Sequence, residues 1–236
     1  ICAQGHTPIL CGGTGLYLSS LLDDLKLSES EADPIYRATL SKRAEREGAE
    51  VIWQELHAVD PETAASLHPN NVGRVIRALE VYHQTGVTMT EHRRRSRLEP
   101  SRYDPCIVGL SYEDRARLYA RIDRRGDQML LDGLLEEARS FYAAYGDPTV
   151  APTASQAIGY KELWPYLAGT CTLEEAVEHL KRQTRRYAKR QLTWFRRDER
   201  VHWFDPDRYE TLNALADAVA ELWKHHLTGD HTHDLT

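Results

Sequence analysis

An α/β core that carries an all-helical insertion is the fold class that the amino-acid sequence predicts. First, a short apolar run at 8–11 ends in a glycine-rich turn and leads into an amphipathic segment at 16–22, the pattern of strand, turn and helix. Second, two further short runs, 106–110 and 201–204, have strand character. Third, the block 33–100 shows helical patterns alone.

The order of these segments predicts two parts of the chain. Residues 1–32 and 101–236 form the α/β core, and residues 33–100 form the helical insertion. The chain begins at Ile1 without Met and enters its first predicted strand about one turn later, and three strands are too few for a complete sheet. We therefore expect further residues upstream of Ile1, so that the core within this chain is incomplete at its N-terminus.

The composition is that of a folded protein. The chain has 236 residues, of which 41% are hydrophobic and 28% charged, and this balance excludes intrinsic disorder and permits a full core. No apolar run approaches the roughly 18 residues that a membrane span needs, so we expect no membrane partner. The four cysteines lie far apart without a C-x-x-C pair, which argues against a zinc ribbon or a disulfide framework and is typical of the reducing cytoplasm.

Helix signals follow one another through the insertion. Two Asp-Pro pairs, at 33–34 and 60–61, are typical helix starts. The predicted helices cover 35–48, 51–59, a segment from 60, and a segment after 71 that ends at Gly86. In this last helix the predicted buried stripe consists of Val75, Ile76, Leu79 and Tyr82. The pattern His-Pro-Asn-Asn at 68–71 is a helix start with Asn70 or Asn71 as its cap, rather than a metal site.

A basic run at 91–97 follows, and it has two interpretations. It is either a solvated loop or a surface for a polyanion. Beyond it, one or two helices are predicted within 112–145, a turn into a further helix at 153–162, and an amphipathic helix at 209–227. The histidines of the C-terminal tail are expected to be solvated.

The segment 172–200 is the most strongly charged part of the chain. Thr172 and Glu175 form a capping-box start of one long predicted helix. Its inward stripe recurs every three or four residues from Leu173 to Trp194, and Lys181 and Arg185 are predicted on other faces. Between 181 and 200 there are nine Lys and Arg and two acids, a local charge of +7 in a chain whose net charge is −6. Such placement favours a polyanion as partner, although an ordinary solvated basic helix is the alternative.

Six blocks, in order along nearly the whole chain, resemble the tRNA dimethylallyltransferases, which transfer an isopentenyl group onto tRNA. The first three blocks are Gly12-Gly13-Thr14-Gly15-Leu16-Tyr17, Asp33-Pro34 with Arg37, and His68-Pro69-Asn70-Asn71 with Arg74 and Arg77-Ala78-Leu79-Glu80-Val81. The other three are Gly86 to Glu91, Gln156 to Glu162, and Thr184 to Arg196.

The resemblance implies a P-loop NTPase-like core of the kind that binds nucleotides such as ATP. It also implies a helical insertion that binds the anticodon stem-loop of tRNA. The implied enzyme takes dimethylallyl diphosphate, alkylates N6 of the adenine 3′-adjacent to the anticodon, and releases diphosphate. Mg²⁺ accompanies the diphosphate in such an enzyme, with its ligands expected in the segment upstream, so no residue of this chain is assigned to metal. The resemblance also implies a cytoplasmic monomer.

Residue roles follow from the matched motifs. Arg185 is the candidate for stabilising the diphosphate leaving group, and Thr14 is the second candidate catalytic residue. The candidate substrate-binding residues are Gly12, Gly13, Gly15, Tyr17, Gln156, Gly159, Tyr160 and Lys189. The candidate tRNA-binding residues are Thr14, Arg37, Gly73, Arg74, Val75, Ile76, Arg77, Arg93, Arg94 and Arg190. Alternatives stay open: Arg37 as an ordinary surface arginine, and Gly159 and Tyr160 as turn and packing residues.

Two central parts of the family pattern do not occur in these 236 residues. They are the phosphate-binding loop Gly-x-Thr-x-x-Gly-Lys-Thr and the following Asp-Ser-x-Gln segment, whose Asp is the family's general base. The chain is then either a fragment of a complete enzyme, which we favour, or a truncated and inactive product. Competing functions are prenyl transfer to free adenine nucleotides, a non-catalytic RNA-binding module, and a P-loop kinase relative.

Overall fold

The computed structural model describes residues 1–23, 32–96, 101–146, 151 and 153–228. The chain divides into two compact units, Ile1–Pro105 and Cys106–Thr236. The predicted grouping of 1–32 with 101–236 stays a prediction. Across the described ranges, no helix is both long and apolar enough to cross a membrane.

The first unit consists of helices in its described part. They are α1 (Gly15–Leu22), α2 (Pro34–Glu47), α3 (Ala49–Val59), α4 (Pro61–Ala65), α5 (Val72–Thr85) and α6 (Met89–Ser96), preceded by a 3₁₀ turn at Cys2–Gln4. Helices α2, α3 and α5 surround one apolar core. Its buried members are Leu40, Ile52, Leu56, Ala64, Val75, Ile76, Ala78 and Leu79.

Local signals in the sequence explain where these helices begin and end. Asp33 accepts a hydrogen bond from the backbone N–H of Tyr36, and Asp60 accepts one from Thr63, so each Asp caps a helix whose first residue is proline. Gly86 ends α5 in the left-handed conformation, φ 67°, which favours glycine. The predicted helix starts and the predicted end at Gly86 are confirmed.

Two expectations for this unit are wrong. Residues 8–11 are not a strand: no described segment pairs with them, and Ile9 is 89% exposed, since a strand needs a partner for its backbone groups. Tyr82 is 37% exposed rather than buried, because it lies at the edge of the apolar stripe of α5. The predicted cap position of α5 is confirmed at Asn71, although the Asn71 side chain makes no cap hydrogen bond.

The second unit combines a small parallel sheet with helices. Its elements are β1 (Ile107–Leu110), α7 (Arg115–Leu131), α8 (Leu134–Tyr145), α9 (Tyr160–Leu167), α10 (Leu173–Phe195), β2 (Val201–Phe204) and α11 (Leu212–Thr228). The two predicted strands are confirmed, and they pair in parallel with Ile107 opposite Val201 and Leu110 opposite Phe204. Helices α7 to α10 connect them, as a parallel pair requires.

A second apolar core lies among the connecting helices. Its buried members are Leu134, Ala138, Leu163, Ala176 and Leu180. The capping box at the start of α10 is confirmed, because Thr172 accepts from the N–H of Glu175 and the Glu175 carboxylate accepts from the N–H of Thr172. In α11, Leu215 is buried but Leu212 is exposed, so the predicted apolar face is narrower than expected. The tail after 228 lies outside the described residues.

Gly109 is required by the pairing of the two strands. A Cβ at this position would lie 2.7 Å from ring atoms of Trp203 and 2.8 Å from Cγ1 of Val201. We expect Gly109→Ala to lower the free energy of unfolding by about 1–3 kcal/mol, the range for overpacking, as measured by urea denaturation. Gly73→Ala is the matched control, since nothing lies within 4 Å of its Cβ position. Equal stability of the two variants would contradict this account of the pairing.

Candidate functional site

A buried carboxylate organises the arginines of the first unit. Glu80 has a fully buried side chain and accepts four hydrogen bonds. Its Oε1 accepts from the backbone N–H of Asp33 at 2.7 Å and from Nε of Arg37 at 2.7 Å. Its Oε2 accepts from Nη2 of Arg37 at 2.8 Å and from Nη1 of Arg77 at 2.5 Å. The candidate residues Arg37 and Arg77 are therefore brought together on one carboxylate.

These contacts set the charge state of the cluster. The Arg37 hydrogen bonds hold the pKa of Glu80 at about 2, below its ordinary value of 4.5, and they outweigh the opposing effect of burial. The same contacts raise the pKa of Arg37. Glu80 therefore stays ionised at neutral pH, and the cluster of Glu80, Arg37 and Arg77 carries a formal net charge of +1.

The residues that precede Arg77 on α5 divide between core and surface. Gly73 and Arg74 are exposed, whereas Val75 and Ile76 are buried in the core of the unit. The side chains of Val75 and Ile76 thus serve packing, and any part that these two residues have in binding passes through their backbone or their neighbours. Their assignment to tRNA binding stays a prediction.

The basic run forms helix α6 as far as Ser96, so the loop interpretation is wrong for 91–96, and Arg97 lies outside the described residues. Asp60 ties this helix to α4. Its carboxylate accepts from the N–H of Thr90 at 3.0 Å and from the Thr90 hydroxyl at 2.6 Å, as well as capping α4. Burial opposes ionisation of Asp60, but the hydrogen bonds from Thr90 and Thr63 outweigh it and lower its pKa.

The arginines of α6 already have partners on the protein. Arg93 donates to the Thr63 hydroxyl. Arg94 and Arg95 both donate to Glu91, at 2.8 and 2.7 Å, and these bonds lower the pKa of Glu91 to about 2. An anion that binds Arg94 or Arg95 through the same N–H groups has to compete with Glu91.

The glycine-rich turn leads directly into α1. Thr14 precedes the first helical residue, and its carbonyl oxygen accepts from the N–H groups of Tyr17 and Leu18, while its side chain makes no cap. Thr14 and Tyr17 are exposed, and Gly15 is buried. A side chain at Gly12 would meet nothing within 4 Å. The turn is open enough for a ligand to approach its backbone, and the roles predicted for it stay predictions.

In the second unit, two ion pairs join α10 to α7. Nη1 of Arg185 lies 2.5 Å from Oδ1 of Asp123, and Nζ of Lys181 lies 2.6 Å from Oδ1 of Asp127. The Asp127 hydrogen bond raises the pKa of Lys181. Gly126 lies between the two acids, and its small size lets the Lys181 side chain lie against α7. The candidate catalytic residue Arg185 is therefore oriented by Asp123.

The position of Lys181 and Arg185 differs from the sequence prediction. The periodicity placed them away from the packed stripe, yet their side chains are only 14% and 27% exposed. Trp194, predicted inside, is 41% exposed. Helix α10 therefore directs Lys181 and Arg185 towards α7. Its other basic side chains in this part are exposed, namely Arg182, Arg186, Lys189 and Arg190. Arg190 also lies over the Tyr187 ring, 5.6 Å from its centroid.

The motif at 156–162 surrounds a buried carboxylate that the sequence analysis did not single out. Gly159, with φ 112°, donates its N–H to Oε2 of Glu162 at 2.8 Å. Glu162 is 1% exposed, and its Oε1 has no hydrogen-bond partner among the described residues, with Nζ of Lys161 3.7 Å away. The signal for Glu162 was its place at the third position of α9, where a carboxylate can accept from the backbone N–H of the residue before the helix.

Tyr160 belongs to the same motif and packs against α8. Its hydroxyl donates to Glu137, and its ring stacks on Phe141 with centroids 4.7 Å apart. The hydrogen bond to Glu137 raises its pKa. Gln156 is exposed. These contacts give Gly159 and Tyr160 a structural role, and whether they also bind substrate stays a prediction.

Within the described part of the chain, no group of three or more His, Cys, Asp or Glu side chains could hold a metal ion. The Mg²⁺ implied by the resemblance stays a prediction.

The protein belongs to the α/β class, because its second unit contains a parallel strand pair among helices. Arginines held by carboxylates in both units make it suited to binding anions. The family model for IPP transferase matches residues 1–198. The chain is 49% identical over 206 residues to the tRNA dimethylallyltransferase of Geobacillus thermodenitrificans, and 46% identical over 222 residues to that of Symbiobacterium thermophilum. The chain belongs to the IPP transferase family.

These alignments cover 87% and 94% of the chain, but 64% and 68% of the relatives. Solved structures agree in fold. The tRNA isopentenylpyrophosphate transferase of Bacillus halodurans has a TM-score of 0.59 at 38% identity, over 98% of this chain and 71% of that one. A eukaryotic dimethylallyltransferase acting on tRNA has a TM-score of 0.72 at 29% identity, over 97% and 59%. The family resemblance found in the motifs is confirmed.

The buried state of Glu80 gives a prediction for acid stability. A carboxylate whose pKa is about 2 in the folded state stabilises the fold above about pH 4.5, and this contribution is lost as the pH falls towards 2. Between pH 7 and about pH 3, the unchanged protein should lose about 2 kcal/mol more unfolding free energy than Glu80→Gln, which lacks the titrating group. Urea denaturation at both pH values measures this, and equal losses would contradict it.

Proposed function

We propose that this chain contains the region of a tRNA dimethylallyltransferase that binds tRNA and part of the region that binds diphosphate. The reaction is transfer of a dimethylallyl group from dimethylallyl diphosphate to N6 of the adenine 3′-adjacent to the anticodon, with release of diphosphate. The observation that carries the proposal is the 49% identity, over 87% of the chain, to a relative named tRNA dimethylallyltransferase. The arginine clusters supply a physical reason why such a chain would bind two polyanionic substrates.

The chemistry requires stabilisation of a leaving anion. The allylic C–O bond breaks, its electron pair passes to diphosphate, and the N6 lone pair forms the new C–N bond while N6 loses a proton. A donor aimed at the developing charge contributes about 3 kcal/mol to such a reaction. Arg185 is the residue proposed for this role, because Asp123 orients its guanidinium while leaving it partly exposed. Thr14 and the glycines beside it are proposed to line the channel in which adenine and diphosphate meet.

The RNA is proposed to be held by phosphate contacts on the first unit and by extraction of the target base. Arg37, Arg74 and Arg77 lie on α2 and α5, and Arg93 and Arg94 lie on α6. Arginine is suited to phosphate because its planar fork binds two oxygens at once. The target adenine cannot react while it is stacked in its loop, so it must be splayed out, as in other enzymes that modify bases.

Three groups that the reaction needs are proposed to be supplied by residues that are not among these 236. These are the P-loop that cradles diphosphate, the carboxylate that accepts the proton from N6, and the ligands of Mg²⁺. A cytoplasmic location and a monomeric state complete the proposal. Transfer to free adenine nucleotides has no use for the arginines of α2, α5 and α6, and this favours tRNA as the substrate.

The test is transfer from dimethylallyl diphosphate to an anticodon stem-loop RNA with adenine 3′ of the anticodon, with the RNA analysed by mass. A stem-loop in which guanine replaces that adenine is the control. Binding of the same RNA to the chain, measured over a series of salt concentrations, runs beside it, because phosphate contacts give a steep salt dependence. Binding without transfer indicates an RNA-binding fragment, and absence of both overturns the proposed function.

Arg185 can be tested without turnover. We expect Arg185→Gln to weaken binding of inorganic diphosphate about 10- to 100-fold, because it removes a charge-assisted hydrogen bond worth about 1.5–3 kcal/mol. Arg182→Gln is the matched control, since Arg182 lies one turn earlier on α10 and is exposed. Isothermal titration calorimetry measures both. Equal losses in the two variants would contradict a specific role for Arg185.

A further inference from the structure

We propose that Glu80 is a positioning residue for RNA binding: its buried carboxylate holds Arg37 by one edge so that the other edge of the guanidinium meets an RNA phosphate. This inference rests on the proposed function and goes further by assigning a residue that never touches the RNA. In it, Arg37 is the contact and Glu80 sets its orientation.

The geometry of the pair leaves an edge of Arg37 available. A guanidinium carries five N–H donors, and the two bonds to Glu80 use Nε and one N–H of Nη2. Within the described residues, Arg37 has no further acceptor, and its side chain is 43% exposed. Nη1 and the second N–H of Nη2 therefore have no acceptor among the described residues, and the side chain is exposed enough for a ligand to reach this edge. This edge matches two oxygens of one phosphate.

The burial of Glu80 is what makes the orientation firm. Its two oxygens accept four donors and its side chain is fully buried, so neither water nor a competing cation has access to it. The pair of Arg43 with Glu55 offers a contrast, because both of its side chains are partly exposed. Ordering a long side chain upon binding costs about 0.5–1.5 kcal/mol, and at Arg37 this ordering is already complete in the free protein.

Two simpler accounts of Glu80 make different predictions. If Glu80 only docks α2 on α5, its loss weakens RNA binding whether or not Arg37 is present. If long-range charge alone governs binding, the loss of a negative charge tightens the complex with a polyanion. The positioning inference predicts weaker binding, and it predicts that most of the weakening requires Arg37, because the only other side chain on the carboxylate among the described residues is Arg77. The sign and the dependence on Arg37 therefore separate the three accounts.

The experiment measures the dissociation constant of a fluorescent anticodon stem-loop RNA with the full chain at fixed salt. Glu80→Gln should weaken binding about three- to tenfold despite the gain in positive charge, which is the cost of ordering one side chain. Glu55→Gln is the matched control, because it changes the charge equally and releases an arginine of the same helix. It should bind as tightly as the unchanged protein, or more tightly.

A double-mutant cycle completes the test. In the background of Arg37→Ala, Glu80→Gln should weaken binding much less than in the unchanged protein, because only Arg77 then depends on the carboxylate. Circular dichroism verifies that each variant is folded. If Glu80→Gln does not fold, Arg37→Lys provides the test with Glu80 intact. This variant keeps the positive charge but loses the planar guanidinium, so it should also weaken RNA binding.

The outcomes distinguish this inference from the proposed function. Binding by Glu80→Gln as tight as that of the unchanged protein, equal weakening with and without Arg37, or full binding by Arg37→Lys overturns the inference alone. Failure of the unchanged chain to bind the RNA overturns the proposed function, and the inference with it.

Discussion

The buried carboxylate of Glu80 is the interaction on which the first unit depends. An ionised carboxylate without partners inside a protein is strongly destabilising, so it is found only where donors replace its water. Here the donors come from Asp33, 47 positions away in the chain, from Arg37, 43 positions away, and from Arg77 on the same helix. The start of α2 is thereby held against the middle of α5. The apolar core supplies the energy of this packing, and Glu80 specifies how the two helices meet.

In the second unit, carboxylates also orient basic side chains, but these ion pairs are partly exposed. Asp123 and Asp127 lie one turn apart on α7 and pair with Arg185 and Lys181, which lie one turn apart on α10. Because these pairs are partly exposed, they contribute little to stability, and the burial of Leu180 beside them contributes more. The burial of Ala176 and Leu180 sets the rotation of α10 about its axis, and that rotation decides which cations pair with α7 and which face solvent.

Much of the fold could be predicted because helix boundaries depend on local chemistry. The Asp-Pro starts, the capping box at Thr172 and the end at Gly86 all follow from neighbours in the sequence. Features that depend on distant partners could not be predicted. The strand expected at 8–11 needs a pairing segment, and the inward turn of Arg185 needs Asp123, which lies 62 positions away.

The candidate site was predictable at the level of motifs and not at the level of contacts. The matched blocks gave roles to Arg37, Arg77 and Arg185. Glu80 lies within a matched block without a role, and Asp123 lies outside the blocks. Glu80 did leave a signal, since it lies four residues after Ile76 on the buried face of α5. A charge at such a position has to be paired, and an arginine is the usual partner. The roles of the individual residues stay predictions.

The arginines of the first unit differ in how an RNA phosphate can reach them, although their sequence makes them look equivalent. Arg94 and Arg95 spend donors on Glu91, an accessible carboxylate, so a phosphate that seeks those same donors must displace Glu91. Arg37 uses two donors on a carboxylate that solvent does not reach, and the donors of its other edge have no acceptor among the described residues. In the proposed complex, a phosphate would bind Arg37 without breaking an existing pair. For a chain with a net charge of −6, this arrangement explains how acidic residues can support the binding of a polyanion: a buried acid orients an arginine without competing for its outer edge.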